Sequence, residues 1–300
     1  MAKWSGKTRG GLTGYRIFIF FIKYLHIRAA YFLLKFVALY FLIFSKKEPI
    51  RFYFKEVLGY KKIKTIVSIY KNYCLLGEML IDKIAFLSGS YNKFTFDFEG
   101  EEYLHEMAGM GKGGLMIGAH IGNWEMAGQL MERVTQSMNI VMLEAEHQNI
   151  NELLKEVLTK KNVHIIPIKD DLSHLEKIRE AFARNELVAI HGDRFLPGAG
   201  SVMVDFMGKP AMLPTGPLYM ASKFQVPVSF VVTVKEKKSH YHFYATKGKI
   251  FEYPSVLATR REKIKNMVQE YAAEIEKRLR QYPLQWFNYY PFWEKNQRVC

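Results

Sequence analysis

The stretch Gly114-Leu-Met-Ile-Gly-Ala-His-Ile-Gly-Asn-Trp-Glu-Met-Ala-Gly128 runs from an uncharged apolar segment directly into His120, Gly122 and Glu125. Leu115 to Ala119 is short, apolar and bounded by glycines, the pattern of a buried strand. Asn123 is a good N-cap, so a helix is expected to open near Trp124. His120 then falls at the carboxyl end of the strand. In an open α/β sheet that edge is where ligands bind, and an imidazole there with a carboxylate five positions on is placed for proton transfer.

The His-x4-Glu spacing by itself is not diagnostic, because the chain repeats it as His147-Gln-Asn-Ile-Asn-Glu152. That copy is followed by Leu153, Leu154, Val157 and Leu158 at helical intervals and reads as the polar opening of an amphipathic helix. His120 differs in context. A buried strand precedes it, and Gly122 permits close approach of another group.

Outward from this stretch the chain alternates. Phe94 to Phe98, Met138 to Leu143, Val163 to Ile168 and Leu187 to Ile190 are strand-like, with helical patterns at about 150–161 and 172–184. Such a rhythm predicts an α/β fold, with a mostly parallel central sheet flanked by helices. The strand ending at Ile190 leads into His191-Gly-Asp-Arg-Phe195, a second polar cluster at a strand's carboxyl end that belongs beside His120. A helix from about Gly216 to Gln225, strands over Val226–Val234 and Tyr241–Thr246, and a long helix over about 256–279 complete the domain. Lys235 to Lys238 reads as a solvated hairpin tip. Gly109-Met-Gly-Lys-Gly-Gly114 lacks the Ser or Thr of a phosphate loop and precedes a strand instead of opening a helix, so it reads as a helix exit and turn.

The organisation expected is three-part: amino-terminal membrane-anchoring helices over 1–47, a helical collar over 48–90, and a catalytic α/β domain over 91–300. Ile17 to Phe44 is apolar and aromatic but interrupted by Lys23, Arg28 and Lys35, with basic residues on both sides. Its uncharged pieces fall short of the roughly 20 residues a span requires. A monotopic pair of helices, with Lys and Arg snorkelling to anionic headgroups, accounts for both features; a buried core helix is the other reading.

In 300 residues, 43 Lys and Arg against 29 Asp and Glu give a formal charge of +14, which favours anionic partners. Nucleic acid is not among those expected, since no recognition motif appears and the aromatics lie in apolar runs. Cys74 and Cys300 offer neither a disulfide framework nor a metal spacing. No metal-ligand cluster is visible.

Gly-Ala-His-Ile-Gly-Asn-Trp-Glu resembles the His-x4-Asp/Glu motif of the late acyltransferases of bacterial lipid A biosynthesis, within the wider lysophospholipid acyltransferase superfamily. The similarity continues through the Asp193 loop, Phe206-Met-Gly-Lys-Pro-Ala211 with Thr215-Gly216, and the closing segment Pro283-Leu-Gln-Trp-Phe-Asn-Tyr-Tyr-Pro-Phe-Trp293. It implies a glycerolipid-acyltransferase-like fold, attachment to the cytoplasmic face of the inner membrane, and no cofactor beyond the acyl donor. That donor is acyl carrier protein or acyl-CoA, and the remaining partners are the anionic membrane surface and a lipid acceptor. This chain departs from the family where His-Arg-Arg-Phe is common, having Asn288-Tyr-Tyr-Pro291. It also has Leu143-Glu-Ala145 in place of Tyr-Arg-Pro, and Lys160-Lys161 in place of Arg-Gly-Arg. The missing basic contacts leave the acceptor open between a lipid A precursor and an aminolipid or lysophospholipid.

The chemistry expected is direct transfer from a thioester. His120 takes the proton of the acceptor hydroxyl, and Glu125 holds the imidazole and stabilises its protonated form. Backbone amides at Gly122 and Asn123, or Arg194 beside Asp193, are candidates for the oxyanion or the substrate phosphate. Arg194 could equally pair with Asp193 or Asp205. No Gly-x-Ser-x-Gly elbow is present, so a serine nucleophile has no support. A non-catalytic protein holding anionic lipid through its basic amphipathic segment is the reading from another class. It predicts that His120→Ala leaves function intact.

Overall fold

The computed structural model describes residues 27–87, 93–123, 126, 136–143, 163–169, 171–194 and 199–293. The expected helices near Trp124 and over 150–161, and the His147–Glu152 pair, lie outside these residues, as do the first 26 positions.

Helix α1 (Ile27–Phe44) leads to the short α2 (Glu48–Phe52), a π-helical turn over Tyr53–Val57, and α3 (Lys62–Leu87). Strand β1 (Thr95–Glu99) and helix α4 (Glu101–Gly109) precede β2 (Gly114–Gly118), β3 (Met138–Leu143) and β4 (Val163–Ile168). Then come α5 (Ser173–Ala183), β5 (Leu187–His191), the pair β6 (Ser201–Phe206) and β7 (Lys209–Pro214), and α6 (Gly216–Phe224). Strands β8 (Val228–Lys237) and β9 (His240–Ala245) and helix α7 (Leu257–Gln281) finish the regular structure, with a 3-10 turn at Pro283–Gln285.

Seven strands form one sheet in the order β1-β9-β8-β2-β5-β3-β4. The β8–β9 hairpin supplies its antiparallel step; the other neighbours run parallel. Strand β2 lies near the middle, between β8 and β5. Side chains alternate across it: Leu115 and Ile117 pack with Tyr271 and Ile275 of α7, whereas Met116 packs with Leu104 and Met107 of α4. Both faces are therefore covered, which is why Leu115 to Ile117 can be uniformly apolar. Helix α7 meets the sheet through Met267, Val268, Tyr271, Ala272, Ile275 and Leu279, an apolar stripe at helical spacing.

The β6–β7 hairpin is separate from the main sheet, a feature that the family-like segment around Phe206 does not foreshadow. It sits against the closing aromatic segment. Phe206 and Tyr53 both stack on Trp293, with ring centroids 5.6 and 5.9 Å apart.

Helix α1 buries Ile27, Ala30, Tyr31, Leu34 and Ala38, one stripe facing α3, while Phe32, Phe36, Leu39, Tyr40, Ile43 and Phe44 remain exposed. Helix and sheet share a core here, because Tyr31 of α1, Met79 of α3, Tyr241 of β9 and Phe287 belong to one buried cluster. Asn72 of α3 donates from Nδ2 to the carbonyls of Leu284 and Trp286 and accepts from the Tyr289 hydroxyl. Helix α3 is thus tied directly to the closing segment of the α/β domain. Lys235 corrects the reading of a solvated tip: β8 continues through it, it is 5% exposed, and its Nζ lies 2.7 Å from Asp82 and 2.9 Å from Glu78. Tyr31 and Tyr241 donate to the same Asp82, so the charge is buried with its partners.

Candidate active site

Strands β2 and β5 are parallel neighbours in a register that sets Gly118 opposite His191. Their extensions past the sheet edge must therefore meet, and they do so two residues on. His120 Nδ1 lies 2.7 Å from Asp193 Oδ1, and the His120 backbone N–H donates to Asp193 Oδ2 at 3.0 Å. An ionised carboxylate only accepts, so in the neutral form of the ring Nδ1 carries the proton and Nε2 keeps its lone pair. The Asp193 side chain is fully buried, whereas that of His120 is 22% exposed. Burial pushes the Asp193 carboxyl up, but the charge and hydrogen bond of His120, with His191 and Arg194 nearby, hold it well below the usual carboxylate range.

His191 completes the group, its ring meeting that of His120 edge-on with centroids 4.5 Å apart. Burial, reinforced by His120 and Arg194, brings its imidazole down to about 3, so His191 is neutral at neutral pH. His120, His191 and Asp193 offer three ligand-type atoms within 4.8 Å of one another, a grouping that no metal spacing in the sequence reveals. Tyr271 of α7 closes the underside, its hydroxyl donating to the Gly118 carbonyl at 2.6 Å.

The turn after His120 is fixed from the other side. Gly122 has φ +63°, and a Cβ there would lie 2.0 Å from the Thr233 carbonyl oxygen, so only glycine fits. The Gly122 N–H donates to the Gln285 carbonyl, the Asn123 N–H to the Thr233 carbonyl, and the Phe287 N–H to the His120 carbonyl. These bonds correct one expectation. Both amides offered as oxyanion donors are already engaged within the fold. The Asn123 side chain is likewise turned inward, with Nδ2 3.3 Å from the Met79 carbonyl and 3.4 Å from the Tyr241 hydroxyl.

Arg194 pairs with neither Asp193 nor Asp205 by hydrogen bond; it donates from Nη2 to the Phe287 carbonyl at 3.1 Å. The guanidinium has five donors, and this contact leaves it exposed at the mouth of the site. Glu125 lies outside the described residues. Sequence reasoning leaves His191, Tyr271 and Gln285 without roles, although His191 and Gln285 stand within the two segments singled out.

The geometry meets its relatives here. Residues 11–295 match the family described as bacterial lipid A biosynthesis acyltransferase. A phosphatidylinositol mannoside acyltransferase from each of two strains of Mycobacterium tuberculosis is 24% identical over 123 residues. That match takes in 41% of this chain and 39% of each relative, so the chain spans well under half the length of these curated relatives. A crystal structure of the 1-acyl-sn-glycerophosphate (LPA) acyltransferase PlsC from Thermotoga maritima superposes with a TM-score of 0.40 at 11% identity, over 83% of this chain and 97% of that one.

Proposed function

The chain belongs to the bacterial lipid A biosynthesis acyltransferase family, and we propose that it is a lipid acyltransferase that transfers a fatty acyl chain from an acyl-carrier-protein thioester to a hydroxyl of a lipid A precursor. The observation that carries the mechanism is the 2.7 Å contact between His120 Nδ1 and Asp193 Oδ1 at the sheet's carboxyl edge. It leaves Nε2 as the base. The acceptor hydroxyl gives its proton to Nε2 as its oxygen bonds to the thioester carbonyl carbon. Collapse of the tetrahedral intermediate breaks the carbon–sulfur bond, and the imidazolium returns the proton to the departing thiolate. Asp193 holds the imidazole in the required tautomer and stabilises its charge, the part expected of Glu125.

The Arg194 donors not bonded among the described residues are the candidates for the oxyanion or a headgroup phosphate, since the Gly122 and Asn123 amides are occupied. The exposed aromatic face of α1 enters the cytoplasmic leaflet of the inner membrane, with the basic surface toward anionic headgroups and acidic carrier protein. Donor activity with coenzyme A is the alternative at the thioester.

A second reading keeps the chemistry and changes the acceptor to an aminolipid or lysophospholipid. One observation favours it: the uncharged Asn288-Tyr-Tyr-Pro291 where the family commonly has basic residues. Mass spectrometry of lipid A and total lipid from source cells lacking the gene, complemented with wild type or His120→Ala, separates the readings. One acyl chain missing from lipid A and restored by wild type alone supports the first. A deficit in another lipid supports the second, and rescue by His120→Ala removes His120 as the base.

A further inference from the structure

Two imidazoles and two carboxylates gather at the hairpin end of β8 and β9, beside the edge strand β1 and apart from the acyl-transfer residues. His240 and His242 stand two residues apart on β9 and so share one face of the sheet. Parallel pairing sets Asp97 of β1 opposite His242 and Thr95 opposite His240. Glu236 sits at the irregularity in the β8–β9 register between Lys235 and Lys237, on the same side. Asp97, Glu236 and His242 each offer a donor atom within 4.8 Å of the others. His240 Nε2 lies 3.3 Å from Asp97 Oδ2 and 3.7 Å from Glu236 Oε2, and His242 Nδ1 lies 3.2 Å from Glu236 Oε1.

These separations are informative. Charge-assisted N–H···O bonds close to about 2.7–2.9 Å, as His120 and Asp193 do at 2.7 Å. Nitrogen and oxygen ligands about 2.0–2.1 Å from a tetrahedral zinc ion lie roughly 3.3 Å from one another. The 3.2 and 3.3 Å separations lie near the second value, and the 3.7 Å contact and the Asp97–His242 pair are wider, so the groups draw in when an ion binds.

The contact behind His240 matches a ligand shell as well. His240 Nδ1 is 2.8 Å from the Thr95 hydroxyl, so the ring is held through the nitrogen that faces away from the carboxylates, and Nε2 is the atom turned toward them. The Tyr282 hydroxyl donates to Glu236 Oε1 at 2.6 Å, and the Tyr244 hydroxyl, 2.7 Å from the Tyr282 oxygen, lies 3.1 Å from His242 Nδ1 and gives up that nitrogen when an ion binds. With neutral imidazoles the four groups carry two negative charges, which a divalent ion balances. Two imidazoles with two carboxylates suit zinc or cobalt better than calcium or magnesium, which take oxygen donors. Side-chain exposure of 20% at each histidine and 65% at Asp97 leaves the ion a path from solvent.

We propose that Asp97, Glu236, His240 and His242 form a site for a divalent transition-metal ion that staples the edge strand β1 to the β8–β9 hairpin. It is independent of the acyl-transfer reading.

The test is titration of tag-free, chelator-treated full-length protein in detergent with Co²⁺, followed by its visible absorption, and then displacement by Zn²⁺. One equivalent of Co²⁺ is expected with intense tetrahedral bands. His242→Ala and Asp97→Asn should each weaken binding at least about tenfold, by the loss of one of four ligands, while His120→Ala leaves it unchanged. Asp97 is exposed, so its variant tests the site without disturbing the core. No binding at about 100-fold excess metal overturns the proposal. So does stoichiometric binding that persists in the His242 and Asp97 variants, or that disappears in His120→Ala, which would give the ion to the other histidine cluster.

Discussion

Replacing Asp193 with asparagine tests the active-site geometry most directly. Both carboxylate oxygens are used, Oδ1 by His120 Nδ1 and Oδ2 by the His120 backbone N–H. The substituted side chain has one oxygen to offer. The backbone N–H is fixed by the strand end and claims that oxygen, which turns the amide NH2 toward Nδ1. Two donors cannot face each other, so the imidazole shifts to the tautomer protonated on Nε2, and the base for the acceptor hydroxyl is gone. In a serine protease triad the equivalent change lowers kcat by about 10⁴, equal to about 5 kcal/mol of transition-state stabilisation. A kcat loss of about 10³–10⁴ with nearly unchanged KM is expected, measured with acyl carrier protein thioester and detergent-dispersed acceptor. The folded Asp193 pKa lies below its unfolded value, so its stabilisation is present above about pH 4 and fades as pH falls through the folded value. The stability gap between wild type and Asp193→Asn should therefore narrow on acidification below about pH 4. A kcat loss under tenfold refutes the argument, and a larger loss in Glu125→Gln would return the orienting role to Glu125.

Four other outcomes follow from the same contacts. Gly122→Ala must place a methyl 2.0 Å from the Thr233 carbonyl at φ +63°; left-handed strain alone is about 1–2 kcal/mol, so a lower Tm and activity reduced at least about tenfold are expected, and wild-type kinetics would contradict the rigid turn. Lys235→Met strands Asp82 without its cation and should lower unfolding free energy by about 3–5 kcal/mol in denaturant titration; a change below about 1 kcal/mol would mean that Tyr31 and Tyr241 suffice. His191 is held neutral with its pKa depressed to about 3, so its contribution to stability is complete above its unfolded value near 6.5 and declines as pH falls from there toward 3; His191→Gln should flatten that part of the Tm–pH curve. Phe36→Glu with Ile43→Lys places charge on the exposed face of α1 and should abolish flotation with anionic liposomes while α1 still packs on α3; retained flotation would move the membrane contact elsewhere.

The fold is legible because its central strand announces itself. Leu115 to Ile117 has to be apolar on both faces when helices cover both sides of a parallel sheet, and a run of that length bounded by glycine has few other uses. His120 is legible for the same reason, standing where the apolar run stops. What cannot be read is its partner. Glu125 is five residues away in sequence and draws attention by spacing, whereas Asp193 is 73 residues distant and reaches Nδ1 only because β2 and β5 pair in register. The occupied amides of Gly122 and Asn123 are also hidden, since their acceptors on Thr233 and Gln285 come from β8 and the closing turn. Lys235 misleads by its neighbours. It stands among charged residues at a hairpin, and only Asp82 and Glu78, contributed by a helix some 150 residues earlier, explain why it is buried.

Those long-range contacts give the turn that carries His120 a particular dependence. Gln285 accepts from the Gly122 N–H through its carbonyl, while its side-chain amide clasps the Lys235 backbone from both ends, at 2.9 and 2.8 Å. Lys235 Nζ in turn meets Asp82 of α3 and the hydroxyl of Tyr31 on α1. The apolar helix, the collar, the hairpin strand and the turn carrying His120 are therefore consecutive members of one hydrogen-bonded set. None of its buried polar groups can leave without stranding another. Seating α1 against α3 completes the burial of Asp82, and Asp82 anchors Lys235 beneath the turn. The apolar helix α1 is in this way also part of the scaffold that holds His120 against Asp193.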